Sequence, residues 1–420
     1  MGVFSKLRGW FGSSESEEPA DPRELFTAEV ERLLAEIPGI ASWARRSDFA
    51  LDVTLATGAE HVFFLENTFL ESRDSSPEER DERLRALLSA GIQSEGDLDW
   101  DEARELVVPL LRAVTLFAGV DCNSQSFTRR PFAPFLIEAI VVDREHAIEY
   151  VSEETAQRWA VDVDALFRIA HANAAEYFSE SDVEQYDADA AYVLWRVTAD
   201  DTYEASRLLL GGWLVSFSGK VDGKPVAIVP ERSTLIVGGD GNAECLQRLI
   251  EMAEREYAAS PRNISPALYT VDDDGKVIPL VLPASHHLAN DVARGHLRLA
   301  LAEYEAQKEN LEAEVEDTLF VASCMGFRKD DGSVSSVSTW TKELEVSTLL
   351  PKTDDIALVY GDLKSPRVLT LPWAVVVQLA PGSLTQEPDM DPPRWRTGAW
   401  PDSKTMKRLR EAVSSGVDSK

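Results

Sequence analysis

Cysteine is scarce in this chain: Cys122, Cys245 and Cys324 are the only three in 420 residues, and none stands in a CxxC spacing. Their spacing argues against a disulfide framework and a thiolate zinc knuckle, and points to a reduced, cytoplasmic setting. Basic residues are also short. Lys and Arg number 42 against 73 Asp and Glu, leaving a formal charge of −31. A surface this acidic repels phosphate backbones and anionic membranes, which argues against nucleic acid as a partner. No GxSxG elbow, HExxH helix or family-spaced Cys and His pair occurs. The sequence therefore marks no catalytic residue and calls for no cofactor.

What is present is enough apolar material for folded domains. Hydrophobic residues make up 44% of the chain, and its length suits two or three domains of ordinary size. The opening MGVFSKLRGWFG is not a secretory signal, because Lys6 and Arg8 interrupt it and no small-residue cleavage site follows. Its Val3, Phe4, Leu7, Trp10 and Phe11 fit one helical face, which makes residues 3–11 a candidate for weak membrane-surface contact. SSESEEPADP at 13–22 has the composition of an acidic linker, so residues 1–22 form a segment of their own.

Residues 23–107 read as a small α+β unit. A helix at about 24–36 precedes the Pro38-Gly39 break, strands cover 49–55 and 62–69 around Thr57-Gly58-Ala59, and helices follow near 77–90 and 100–106. Some secretion chaperones share the order helix, hairpin, helix. Residues 108–283 form a second α+β unit. Phe135–Val142 is a near-continuous apolar run interrupted by Glu138, and helices cover 163–178 and 242–257. Between them Tyr192–Val197 reads as a strand. A helix follows with Ala205, Leu208, Leu209, Trp213 and Phe217 on one face, and then strands at 226–229 and 235–237 around Pro230-Glu231-Arg232. Residues 284–316 read as a long connecting helix. Beyond it 317–420 is a β-rich domain, with runs at 319–327, 334–340, 356–360 and 368–379, a Pro-rich stretch at 388–401 and a last helix near 403–413. The expected class is α+β, with mixed, mainly antiparallel sheets covered by helices.

The stretches DTYEASRLLL at 201–210 and AIVPERSTLIV at 227–237 carry a family resemblance. With VPLLRAVTLF at 108–117, FLIEAIVVDREHAIEYV at 135–151 and NAECLQRLIEMAEREY at 242–257, they make roughly residues 23–283 similar to the DUF1444 family of bacterial proteins. The family pattern favours an Asp after the corner basic residue, where this chain has Ser233. The resemblance implies the fold of the segment and brings no catalytic residues with it.

Four features invite a chemical reading. Gly238-Gly239-Asp240-Gly241 joins a strand to a helix, the layout that cradles phosphate, yet it matches neither a Walker loop nor GxGxxG and reads better as a turn capped by Asp240 or Asn242. His286, His287, Asp291 and His296 fall short of a zinc set, since only His287 and Asp291 share a helical face, and no metal is expected. Asp272-Asp273-Asp274-Gly275 lacks the alternation of a calcium loop and reads as a hairpin turn. Finally Arg112, Arg207 and Arg232 all fall in the stretches that carry the resemblance. Near a core, guanidinium groups either pair with carboxylates, for which Glu138 and Asp201 are available, or bind a carboxylate or phosphate ligand, with Tyr203 as aromatic wall or hydroxyl donor. The chain thus reads first as a non-catalytic protein-binding or adaptor module. The alternative is a binding protein or enzyme for a small anionic ligand.

Overall fold

The computed structural model describes residues 22–414 apart from 46–48, 57, 59, 66–67, 70–71, 73–74, 94–97, 117–126, 145–147, 179–182, 189–191, 200, 202, 315–318, 330, 345, 363 and 389. The expected membrane-contact helix at 3–11 and nearly all of the acidic linker lie outside these residues. Contacts divide the chain into two compact units, Met1–Asp97 with Glu145–Ala147, and Leu98–Arg144 with Ile148–Lys420. The fold is α+β.

In the first unit, α1 (Pro22–Glu36), β1 (Ile40–Arg45), β2 (Ala50–Leu55), β3 (Glu60–Phe64) and α2 (Pro77–Gln93) follow in order, and the three strands form an antiparallel sheet, β1-β2-β3. The helical spacing of Phe26, Val30, Leu33 and Leu34 turns one face of α1 inward, and Leu84 and Leu88 do the same for α2. Both faces close on Leu51, Val53 and Leu55, the inward positions of β2. Burying each such side chain fully contributes about 1.5–3 kcal/mol. Strand β1 has no counterpart in the sequence reading, because none of its six residues is fully buried and alternation is absent.

The second unit begins ten residues before the expected boundary. Its first helix α3 (Trp100–Ala103) and strand β4 (Val107–Ala113) bury Ala103 and Val107 in the same cluster as Ile140, Val142, Leu166 and Phe167. Strands β5 (Arg129–Ala133), β6 (Leu136–Asp143) and β7 (Ile148–Tyr150) complete an antiparallel sheet in the order β4-β6-β5, with β7 also on β6. Helices α4 (Glu153–Arg158) and α5 (Val163–Tyr177) follow, the latter capped by the Asp162 carboxylate accepting from the Ala165 amide. Arg112 lies in strand β4 rather than in a helix.

A six-stranded antiparallel sheet comes next. It is built from β8 (Val183–Ala188), β9 (Val193–Val197), β10 (Pro225–Ile228), β11 (Ile236–Gly239), β12 (Leu268–Val271) and β13 (Val277–Pro279), in the order β13-β12-β10-β11-β9-β8. Alternation along β10 sends Val226 and Ile228 to one face, under α6 (Ala243–Ala259), and Ala227 with the following Val229 to the other. That second face is covered by 201–217, where the sequence reading has one helix. Two short 3-10 helices stand there instead, Ala205–Leu209 and Leu214–Phe217. Gly211 and Gly212 separate them, and Gly212 takes a left-handed φ of 81° that ends any continuous helix.

Helix α7 (Ala289–Glu314) leads into the last part of the unit. It packs along its length and is no bare connector. Val292 joins Leu288 in the cluster under α6, while Glu303, Tyr304 and Gln307 are buried further along. Strands β14 (Leu319–Val321), β15 (Met325–Arg328), β16 (Val334–Thr341), β17 (Ser347–Pro351), β18 (Asp355–Tyr360) and β19 (Arg367–Pro372) precede helix α8 (Trp373–Leu379). Then come β20 (Leu384–Gln386), β21 (Arg394–Thr397) and helix α9 (Ser403–Ser414). Two sheets result, β14-β17-β21-β20 and β15-β16-β18-β19. The pairs β14 with β17 and β16 with β18 are parallel, the rest antiparallel.

The expected strand at 368–379 is therefore strand, then helix. Pro372 ends the ladder and stands as the N-cap of α8, whose Trp373 and Val376 turn into the core. The Pro-rich stretch supplies strand β21, which opens on Arg394, whose exposure is 0%. Its guanidinium donates to the Ala322, Leu349 and Tyr304 carbonyls at 2.8, 3.2 and 2.9 Å and to Gln307 Oε1 at 2.6 Å.

Candidate functional site

The segment between β9 and β10 crosses the outer edge of β4, where the Leu111 amide donates to the Ser206 hydroxyl at 3.1 Å. One residue on, Arg207 is fully buried. Its Nη1 and Nη2 meet the two carboxylate oxygens of Asp201 at 3.1 and 2.8 Å, and its guanidinium lies 4.5 Å from the centre of the Phe178 ring. The same carboxylate accepts the Tyr203 amide at 2.9 Å. Tyr203 is buried too, its ring centre 5.9 Å from that of Phe178. Burial, with the Asp143 carboxylate as second cause, holds its phenol well above the ordinary value, so it stays neutral.

The other two arginines are placed differently. Arg112 is half-buried, on the face of β4 that also carries Val108 and Leu110, and its Nη1 donates to the Leu111 carbonyl at 2.8 Å. Arg232 stands at the corner between β10 and β11, where its carbonyl accepts the Ala205 amide at 3.2 Å. The fold thus brings together Arg207, Tyr203, Asp201 and the backbone of Arg232, and places Arg112 on the same side as Tyr203, where its charge acts on the phenol. The bidentate contact neutralises the Arg207 charge inside the protein, the internal pairing that Asp201 offered.

Glu138, the other acid considered as a partner, engages none of the three. It sits on the opposite face of the sheet, paired in register with Leu111 and Arg130. Its carboxylate takes Arg130 Nε at 2.7 Å on one oxygen and His171 Nε2 at 2.5 Å on the other, and Arg130 Nη2 stands 3.2 Å from the same histidine nitrogen. The Arg130 guanidinium also covers the Phe167 ring at 4.1 Å. The polar interruption of the β6 run is therefore a buried carboxylate held by an arginine and a histidine. Its signals in the sequence were one acid in an apolar strand and a histidine four residues after Phe167. Their proximity across 33 residues of chain was not readable.

The glycine loop is closed by its own backbone. A Cβ on Gly239 would fall 2.0 Å from the Asp222 carbonyl oxygen, and one on Gly223 would fall 2.2 Å from the Asp240 carboxylate. The loop amides are already donated: Asp240 to the Lys224 carbonyl at 3.0 Å, Gly241 to the Asp222 carbonyl at 2.9 Å, and Gly239 to Cys245 Sγ at 3.4 Å. Asn242 caps α6 by accepting from the Glu244 and Cys245 amides. These glycines serve close approach of two chain segments rather than a phosphate.

Of the histidines, half-buried His296 meets the Leu280 carbonyl at 3.0 Å and His286 accepts the Leu288 amide at 3.2 Å. Among the described residues no three His, Cys, Asp or Glu side chains come close enough together to hold a metal ion. Asp272 closes a hairpin turn, its carboxylate accepting the Asp274 and Lys276 amides. A cavity of about 520 Å³ opens beside this turn, lined by Gly212, Val215, Lys224 and Asp272–Gly275, and none of the three arginines reaches it.

Comparison with protein-family models, curated proteins and solved structures finds no match to this chain. Its chemistry is read from its own residues. Exposed large apolar side chains are scattered along the described residues, Val281, Leu25 and Tyr177 among them, and several stand together on strands of the C-terminal sheets. Strands β15 and β19 are the two edges of their sheet, and both present large apolar side chains: Met325 is 47% exposed, Phe327 37% and Val368 59%.

Proposed function

We propose that the chain is a non-catalytic protein-binding module of the DUF1444 type that works in the cytoplasm and holds its partner through its C-terminal sheets. The observation that carries this reading is the pair of open edges on β15 and β19 with Met325, Phe327 and Val368 exposed on them. Sheet edges of this kind are normally short, charged or covered, because their unpaired amides and carbonyls recruit another strand. An apolar edge left open suits an extended segment of another protein. The internal pairing of Arg207 with Asp201 supports the same choice over a small anionic ligand, since a neutralised guanidinium has no charge left to offer one.

The test compares the full chain with a Met325→Asp/Phe327→Asp variant. The partner that co-purifies with the full chain from its source cells is expected to be lost from the variant, with the circular dichroism spectrum unchanged. In parallel the full chain is heated with carboxylate and phosphate metabolites. A ligand at about a hundred times its dissociation constant adds about 2.7 kcal/mol, which a thermal shift reads directly. Such a shift, retained in the variant, would overturn the reading in favour of the small anionic ligand.

A further inference from the structure

In a chain of net charge −31, many arginines meet a carboxylate, as at Arg32, Arg45, Arg85, Arg207, Arg294 and Arg396. One surface departs from this. The stretch SKTMKRLR at 403–410, in helix α9, holds four cations and no acid. Its helical rotation buries Met406 and Leu409 and leaves Lys404, Lys407 and Arg408, spaced i, i+3 and i+4, exposed on the opposite side. Lys364 and Arg367 are exposed at the start of β19. Tyr360 joins the two groups: it pairs in register with Arg367, and Arg410 stacks on its ring at 5.5 Å. Among the described residues Lys364, Arg367 and Arg408 make no ion pair within 4 Å, Lys404 feels the Asp402 carboxylate at the helix start without a direct contact, and Lys407 meets Glu411 at 3.8 Å.

Helix stability does not account for this arrangement. Like charges three and four residues apart repel each other, and Lys404 stands in the first turn, where the helix dipole disfavours a cation. Beside the cations, β19 pairs with β18 alone and offers an unpaired edge, with Val368, Val377 and Val413 exposed around it.

We propose that the cationic face of α9, with Lys364, Arg367 and the edge of β19, is the docking surface for an acidic, extended segment of a partner protein. This rests on the protein-binding reading above and names the partner's chemistry. Charge complementarity gives the acid, and the open strand edge gives the extended backbone with alternate apolar side chains. The net charge decides against a large polyanion. Salt screens charges beyond about 8 Å at physiological strength, so the local cations dominate only for a ligand that stays on them. Nucleic acid or a membrane would also face the acidic remainder of the surface.

The experiment is fluorescence anisotropy of the full chain with three labelled probes: a short peptide alternating glutamate and valine, its lysine and valine counterpart, and a short DNA duplex. Sedimentation with vesicles containing phosphatidylserine adds a membrane arm. The acidic peptide is expected to bind, to weaken as salt is added, and to lose about tenfold or more in affinity on Lys404→Glu/Lys407→Glu/Arg408→Glu. The remote Lys276→Glu change should leave binding as it was. Absence of binding, equal binding by the triple variant, or tighter binding of DNA or vesicles overturns the inference. Should it fall while Met325→Asp/Phe327→Asp still releases the native partner, the protein-binding reading stands without it. If the native partner also stays bound to that variant, both fall.

Discussion

At Arg207 a full positive charge is buried, and Asp201, six residues earlier, holds it with both carboxylate oxygens. Removing one member of a buried pair leaves the other charged and uncompensated, which costs about 3–5 kcal/mol. Asp201→Ala should therefore lower the free energy of unfolding by about 3 kcal/mol in a urea titration, with the slope unchanged. Glu303 is a contrasting case. It is buried, accepts the Thr115 amide at 3.0 Å and hydroxyl at 2.7 Å, and burial is the largest cause raising its pKa above 4.5. A carboxyl raised on folding favours the protonated state. Its contribution is whole below the unfolded value and is lost as pH climbs through the raised one. Glu303→Gln should thus melt higher than the natural chain at neutral pH, and the advantage should vanish below about pH 4.5; a melting series against pH checks both.

The elements that could be read from the sequence are those whose burial has a period. Helices α1, α5 and α6 and strand β2 place apolar residues at the expected spacing, so their ranges were predicted to within a few residues. Strands β1, β20 and β21 escaped for the opposite reason, being short or lacking an apolar alternation. Of the candidate site, the pairing of Arg207 with Asp201 was legible because it is local. The assembly of Glu138, Arg130 and His171 was not, because it needs the sheet register. The glycine loop makes a sharper prediction at this level. Since a Cβ at 239 would overlap the Asp222 carbonyl at 2.0 Å, Gly239→Ala must displace a hairpin backbone rather than a side chain. Overpacking of this kind costs about 3 kcal/mol, to be read as a drop in the denaturation midpoint, whereas Gly211→Ala, with nothing within 4 Å, should leave it nearly unchanged.

For the molecule as a whole the net charge sets the background. Self-repulsion at −31 opposes compaction, so added sodium chloride should raise the melting temperature through the first few hundred millimolar, and a calorimetric series reads it directly. No helix of the described residues is long and apolar enough to cross a membrane. The order of strands in the sheet β14-β17-β21-β20 has one more consequence. Three segments distant in sequence, at Tyr304, Ala322 and Leu349, present carbonyls that the side chain of Arg394 joins from the far end of the chain. While the protein is being made, those three segments lack this shared side-chain donor until residue 394 has emerged from the ribosome. The C-terminal sheets therefore complete their assembly late in synthesis, and a message broken before that codon yields a chain whose last strands lack the residue that ties them together.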